Sequence, residues 1–215
     1  MREFYIFGSV CRGEPDEGSD VDILVVAENG HARQNLPSAW SCYGRKRLRI
    51  LFRRGTLFAW HLYLESVQLW PRGPGGYLKK IGPPKPYTGA IREITDLQHI
   101  LLDASKELLG GTQSPVYEFG LLALACRDAA MAASSTLVGQ FDFSRHAPLH
   151  LPARFPLSKA QFDYLLKCRR ASTRGDDLRR RPQVERLIIS HLPKLKTWCA
   201  TLLHRVKNEQ LPPQN

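Results

Sequence analysis

The tightest constraint in the chain lies in its first thirty residues. Glu3-Phe4-Tyr5-Ile6-Phe7 is a short apolar and aromatic run, Gly8-Ser9 closes it, and Val21 to Val26 is a second, β-branched run. Runs this short, rich in aromatic and β-branched side chains and bounded by Gly, Ser and Asp, read as strands. The polar segment between them is a connection, and Gly8 marks the turn that ends the first strand. Whatever this chain folds into must therefore place a glycine turn and the Asp20-Val21-Asp22 triplet at the ends of two strands.

Further along, Leu36 to Tyr43 reads as a third strand entered through Pro37, and Gly44 to Leu69 turns helical in period. In the latter, Leu48, Leu51, Phe52, Leu57, Phe58, Leu62 and Leu64 recur at helical spacing, and Gly55 divides the run into two helices. From Trp70 to Thr88 prolines and glycines accumulate, a composition that resists regular structure and places a domain boundary there. Beyond Thr88 the chain carries almost no strand signal. Ile91 to Leu109, Pro115 to Leu137 and Pro182 to Val206 read as long helices, with a shorter one over Lys159 to Cys168. Two domains are expected, residues 1–87 with the sheet and residues 88–215 as a helical bundle.

The chain has 215 residues with 43% hydrophobic and 24% charged side chains, which is globular composition and excludes a disordered chain. Lys and Arg outnumber Asp and Glu by 31 to 20, so the mean field attracts polyanions such as nucleotides or RNA, or an acidic partner. Five cysteines stand singly with no C-x-x-C pair, which suggests neither a zinc site nor a disulfide framework and fits a reducing cytoplasm. The sequence opens on Glu3 to Phe7 without a basic-then-apolar run, and no apolar run reaches the ~18 residues of a membrane span, so a soluble cytoplasmic protein is expected.

The spacing at the N-terminus has a chemical reading. Asp20 and Asp22 stand two apart on an expected strand, so both carboxylates share one sheet face, roughly 6.5–7 Å apart at the backbone. One hard cation, Mg²⁺ or Mn²⁺, can be held between them while keeping its remaining positions for phosphate and water. Gly8 lets the backbone approach a phosphate closely, Ser9 offers a hydroxyl and an amide where a helix should begin, and Arg12 lies one turn on. Ser19 immediately precedes the acidic pair.

Taken together, Phe7-Gly8-Ser9-Val10-Cys11-Arg12-Gly13 and Ser19-Asp20-Val21-Asp22-Ile23-Leu24-Val25-Val26 closely resemble the minimal nucleotidyltransferases of the polymerase beta superfamily. Arg54 to Leu62 with Glu65 is similar to a helical segment of one group of these proteins, so the resemblance covers about the first half of the chain. It implies an α+β fold, with an N-terminal mixed sheet and helices followed by a helical bundle. It further implies transfer of a nucleoside monophosphate, with AMP favoured, from a nucleoside triphosphate, with ATP favoured, to a protein, a tRNA end or a small hydroxyl compound. Gly8, Ser9, Arg12 and Ser19 would seat the nucleotide, and Asp20 and Asp22 would hold the metal.

The pattern departs from the superfamily at one point. Relatives commonly carry a third carboxylate on the next strand, whereas no Asp or Glu lies between Glu28 and Glu65 here. Glu65 swings in from the following helix, or two carboxylates suffice with slow chemistry, or the nucleotide is bound without turnover. Glu65 also stands four residues after His61, a spacing that pairs the two on a helix surface. A silent, antitoxin-like or complex-forming module is thus the alternative function, and an aminoglycoside-type resistance enzyme is a narrower rival.

Relatives usually place a helix before the first strand, so a sheet face left uncovered here would be open to a protein partner or to self-association, as would the helical domain. In that domain, Pro115 to Glu118 and a helix bearing Arg127 resemble the helical domains accompanying such transferases. Arg186 and His191 have the Arg-x4-His spacing of HEPN ribonucleases, a spacing that in a basic protein reads first as a solvated helix face. The basic clusters Arg45 to Arg54 and Arg169 to Arg181 read first as solvated faces, with an RNA backbone as the other reading.

Overall fold

Alternation decides how the first strand is used. Strand β1 (Arg2–Phe7) buries Glu3, Tyr5 and Phe7 and leaves Arg2, Phe4 and Ile6 half-buried. It is the centre of a mixed four-stranded sheet, ordered β3-β2-β1-β4, in a computed structural model that describes residues 2–14, 21–28, 35–71 and 75–210. Strand β2 (Asp22–Ala27) runs antiparallel to β1 with Phe7 opposite Asp22, Tyr5 opposite Leu24 and Glu3 opposite Val26. Opposed residues share a face. That face therefore reads Glu3, Tyr5, Phe7, Asp22, Leu24 and Val26, and all but the two acids are core residues.

Helices cover it. Leu48 and Phe52 of α1 (Arg45–Arg53), Ala59 and Leu62 of α2 (Leu57–Glu65), and Tyr77 and Leu78 of α3 (Tyr77–Ile81) complete one apolar cluster with the strand residues. Each fully buried large side chain there contributes roughly 1.5–3 kcal/mol. The α1–α2 break falls at Gly55 as expected, and Thr56 caps α2 by accepting from the Ala59 amide at 3.2 Å.

Three expectations are corrected. The third strand is only Ser41–Gly44 (β3), parallel to β2, because the chain from Pro37 first turns, with the Trp40 amide donating to the Pro37 carbonyl at 3.1 Å. The helical reading up to Leu69 stops at Glu65. Val67–Trp70 is a strand, β4, antiparallel to β1, and there the ladder groups on the second edge of β1 outweigh helical spacing. Within the proline- and glycine-rich stretch, Tyr77–Ile81 is helical, and the Lys85 amide donates to the Phe52 carbonyl at 2.9 Å, so this segment is pinned to α1.

The chain divides into two compact units, Met1–Gly89 and Ala90–Asn215. The second is helical throughout its regular structure: α4 (Ala90–Leu109), α5 (Pro115–Leu137), α6 (Ala147–His150), α7 (Lys159–Arg174), α8 (Pro182–Ser190) and α9 (Leu192–Gln210). Helix α5 packs against α4, α7 and α9. Six of its alanines (123, 125, 129, 130, 132 and 133) are fully buried, so a small-residue surface lets neighbours approach on several sides. At Gly120 an added methyl would lie 3.1 Å from the Arg169 backbone, which fixes the close α5–α7 crossing. The run expected from Pro182 to Val206 splits at His191, because Pro193 has no N–H for the Ile189 carbonyl but fits the first turn of a new helix. No described helix is long and apolar enough to cross a membrane.

Glu3, only 6% exposed, is the exception in the first unit's core. Its carboxylate accepts from the Tyr5 hydroxyl (2.5 Å), the Tyr77 amide (2.7 Å) and Arg45 Nη2 (2.8 Å). Burial pushes the carboxyl up, yet these three donors outweigh it and hold Glu3 below the ordinary glutamate range. Its contribution is therefore fully present above the unfolded-state pKa and is lost as pH falls through the lower folded one. Replacing Glu3 by Gln should lower stability by about 2 kcal/mol at neutral pH. Urea unfolding at successively lower pH should show the gap between wild type and variant closing below the normal glutamate pKa.

Candidate active site around the Gly8 turn

Beyond Phe7 the chain turns sharply. Gly8 has φ +79° and opens a single 3₁₀ turn over Gly8–Val10, with the Cys11 and Arg12 amides both donating to the Gly8 carbonyl at 3.0 and 3.3 Å. The helix expected at Ser9 does not develop. Gly13, also left-handed at φ +70°, ends it.

Gly8 is required here for two reasons. Its φ belongs to the left-handed region, and a methyl at its Cα would lie 2.5 Å from Asp22 Oδ2. The Asp22 carboxylate therefore lies directly against the backbone of the turn. The antiparallel register produces this contact, since Asp22 faces Phe7, the residue before Gly8.

A second acid reaches the same turn from α2. Arg12 Nη1 donates to Glu65 Oε2, while Arg12 Nε donates to Glu14 Oε2 at 3.0 Å. His61 Nε2 lies 2.9 Å from the same Glu65 oxygen, and its ring meets Phe7 edge-on at 5.4 Å. Both Arg12 and Glu65 are largely buried, at 19% and 14% side-chain exposure. Burial works against the Arg12 charge, but Glu14 and Glu65 prevail and raise the guanidinium above its usual range, so Arg12 is a permanent cation in the turn. The i, i+4 spacing of His61 and Glu65 foreshadows their pairing. That Arg12 joins them could not be read from sequence, because 53 residues separate it from Glu65.

Asp22, Gly8, Ser9, Arg12 and Glu65 thus stand around one end of the sheet. Ser19 and Asp20 lie outside the described residues, and β2 begins at Asp22. Among the described residues no three His, Cys, Asp or Glu side chains converge as a metal site. An Asp22 carboxylate beside a close-approach glycine is nevertheless the oxygen donor set that suits Mg²⁺, which commonly takes one or two carboxylates together with substrate phosphates.

Elsewhere, Arg186 is exposed on α8, and His191, just past its end, sits with Nδ1 2.7 Å from the Leu187 carbonyl. Five residues of helical rotation separate the two by about 140°. Arg127 Nε is bonded to its neighbour Asp128 at 2.9 Å.

Residues 2–69 match the family model of the nucleotidyltransferase domain. The match takes in β1, β2, β3, α1, α2 and nearly all of β4, and it leaves out α3 and the helical unit. No curated protein matches the chain.

Two glycine substitutions separate the backbone from the carboxylate. Gly8→Ala meets both a left-handed φ and Asp22, whereas Gly13→Ala meets a left-handed φ alone, with nothing within 4 Å. In denaturant titrations Gly13→Ala should cost roughly 1 kcal/mol and Gly8→Ala about 2–3 kcal/mol. Equal costs would show that the carboxylate does not press on the turn.

Proposed function

We propose that the chain, whose residues 2–69 match the nucleotidyltransferase domain model, moves a nucleoside monophosphate, AMP in preference, from a nucleoside triphosphate to a hydroxyl group. The acceptor is on a protein, a tRNA end or a small compound. The acceptor oxygen bonds to the α-phosphorus, the bond from that phosphorus to the bridging oxygen breaks, and pyrophosphate leaves. The observation that carries this reading is the contact between the Gly8 turn and the Asp22 carboxylate.

In this reading Gly8 and Ser9 bring backbone amides and a hydroxyl to the triphosphate, helped by Ser19. Arg12 places its permanent charge beside the same phosphates. Asp20 and Asp22 are the residues that would hold Mg²⁺ or Mn²⁺, which when bound neutralises phosphate charge and orients the attacking and leaving oxygens. Glu65 is the only acid available as the third carboxylate between Glu28 and the end of β4. Its bonds to Arg12 and His61 favour a positioning role, holding the guanidinium at the turn. The five free cysteines fit a cytoplasmic setting.

One observation favours a second reading. Glu65 is already engaged by two basic side chains, which suits a domain that binds nucleotide or a protein partner without turnover. Incubation with α-labelled ATP, GTP, CTP and UTP plus cell extract separates the two. We expect label transfer that falls roughly 10²-fold or more in Asp22→Asn. Glu65→Gln should raise the nucleotide KM ~10-fold with a smaller change in kcat, as for loss of a positioning contact. Absence of transfer, or equal transfer by wild type and Asp22→Asn, would remove the enzymatic reading and leave the silent module.

A further inference from the structure

The helical unit carries a groove of about 400 Å³ between the Ala153–Pro156 segment and one face of α9, and its lining includes Arg154, Lys194 and Arg205 but no acidic residue. All three cations are exposed, and among the described residues none is in a salt bridge. In the two basic clusters conspicuous in the sequence, by contrast, key charges are already engaged: Arg45 with Glu3 and Glu28, Arg170 with Asp176, and Arg180 with Glu185. Other cations of those clusters, such as Lys46, Arg49 and Arg53, are exposed on a helix surface, whereas the groove gathers its three around an apolar recess.

The groove is also pre-shaped. Trp198 Nε1 donates to the Ala153 carbonyl at 3.1 Å, and the Phe155 and Trp198 rings meet edge-on at 4.9 Å. Ala153, Phe155 and Leu157 are buried, so alternation turns Arg154 outward at the rim. On α9, Lys194, Trp198, Thr201 and Arg205 recur at helical spacing and form one stripe, with the two cations roughly 16 Å apart along the axis. Pro156, Pro193 and the Trp198 ring give an apolar floor between the charges. The Thr197 and Thr201 hydroxyls donate back to their own helix, so recognition falls to the cations.

We propose that this groove binds single-stranded nucleic acid through its phosphodiester backbone. Two cations spaced along α9 with a third on the facing rim match a repeating anion, with phosphates every ~3.4 Å of rise when stacked and further apart when extended. The apolar floor suits the sugar or the unpaired base that a single strand exposes. The inference is independent of nucleotidyl transfer and stands or falls on binding alone.

Fluorescence anisotropy with short labelled oligo-U and oligo-dT, a duplex of equal length and a Glu-rich peptide tests it. Neutralising three phosphates predicts that single-strand affinity falls ~20-fold between about 50 and 200 mM salt. The exposed triple variant Arg154→Gln/Lys194→Gln/Arg205→Gln, verified by its thermal melt, should bind at least ~10-fold more weakly at low salt and lose most of that salt dependence. A matched variant on exposed α1 positions, Lys46→Gln/Arg49→Gln/Arg53→Gln, removes the same charge and should bind as wild type. Equal weakening by both variants would reduce the effect to general charge. Preference for duplex, or peptide binding as tight as the single strand's and lost in the groove variant, would overturn the assignment in favour of another ligand class.

Discussion

A carboxylate buried on an otherwise apolar sheet face organises the first unit. Glu3 lies on the central strand, and its partners come from three places: Tyr5 on the same strand, Arg45 at the start of α1, and the Tyr77 amide at the start of α3. Arg45 in turn stacks over the Tyr77 ring at 5.1 Å, and the Tyr77 hydroxyl donates to the Arg45 carbonyl at 2.8 Å. Leaving any of these groups unpaired in the core would be costly, so the network specifies how the helices seat on the sheet more sharply than apolar packing alone. Phe7 shares that face, and Gly8 follows it. The turn thus leaves the strand whose opposite end the network anchors.

At the other end of β1 the electrostatics differ. The turn gathers one fixed cation, Arg12, between two acids and a histidine, with Asp22 against the glycine backbone. Since the Arg12 charge is held in place before any ligand arrives, little ordering is needed when an anion approaches. The same arrangement commits one oxygen of Glu65, Oε2, to both basic partners.

The range of the forces involved decides how much is legible in the sequence. The strand, glycine turn and strand at the N-terminus can be read because alternation and the glycine conformation are local properties. So can the helices of the second unit, whose caps and prolines are local signals. The α8–α9 break is hidden although Pro193 marks it, because apolar periodicity continues across the break. β4 is hidden for a different reason: Val67 to Trp70 has no strong signal of its own and becomes a strand only because β1 offers an open edge. At the site, Gly8, Asp22 and Arg12 stand out by spacing. The partnership of Arg12 with Glu65 is a long-range contact and leaves no trace in the sequence, as do the uncompensated groove charges, which are scattered singly across fifty residues.

The late strand also affects what the site can tolerate. Only Ser66 separates Glu65, the last residue of α2, from Val67, the first of β4. The carboxylate is thus indexed by the β4 register, and a slip or insertion of one residue would shift it by about 3.3 Å relative to Arg12. Length changes that surface loops absorb easily are forbidden at this junction, and the edge of the sheet acts as a ruler for the distance between an acid and an arginine.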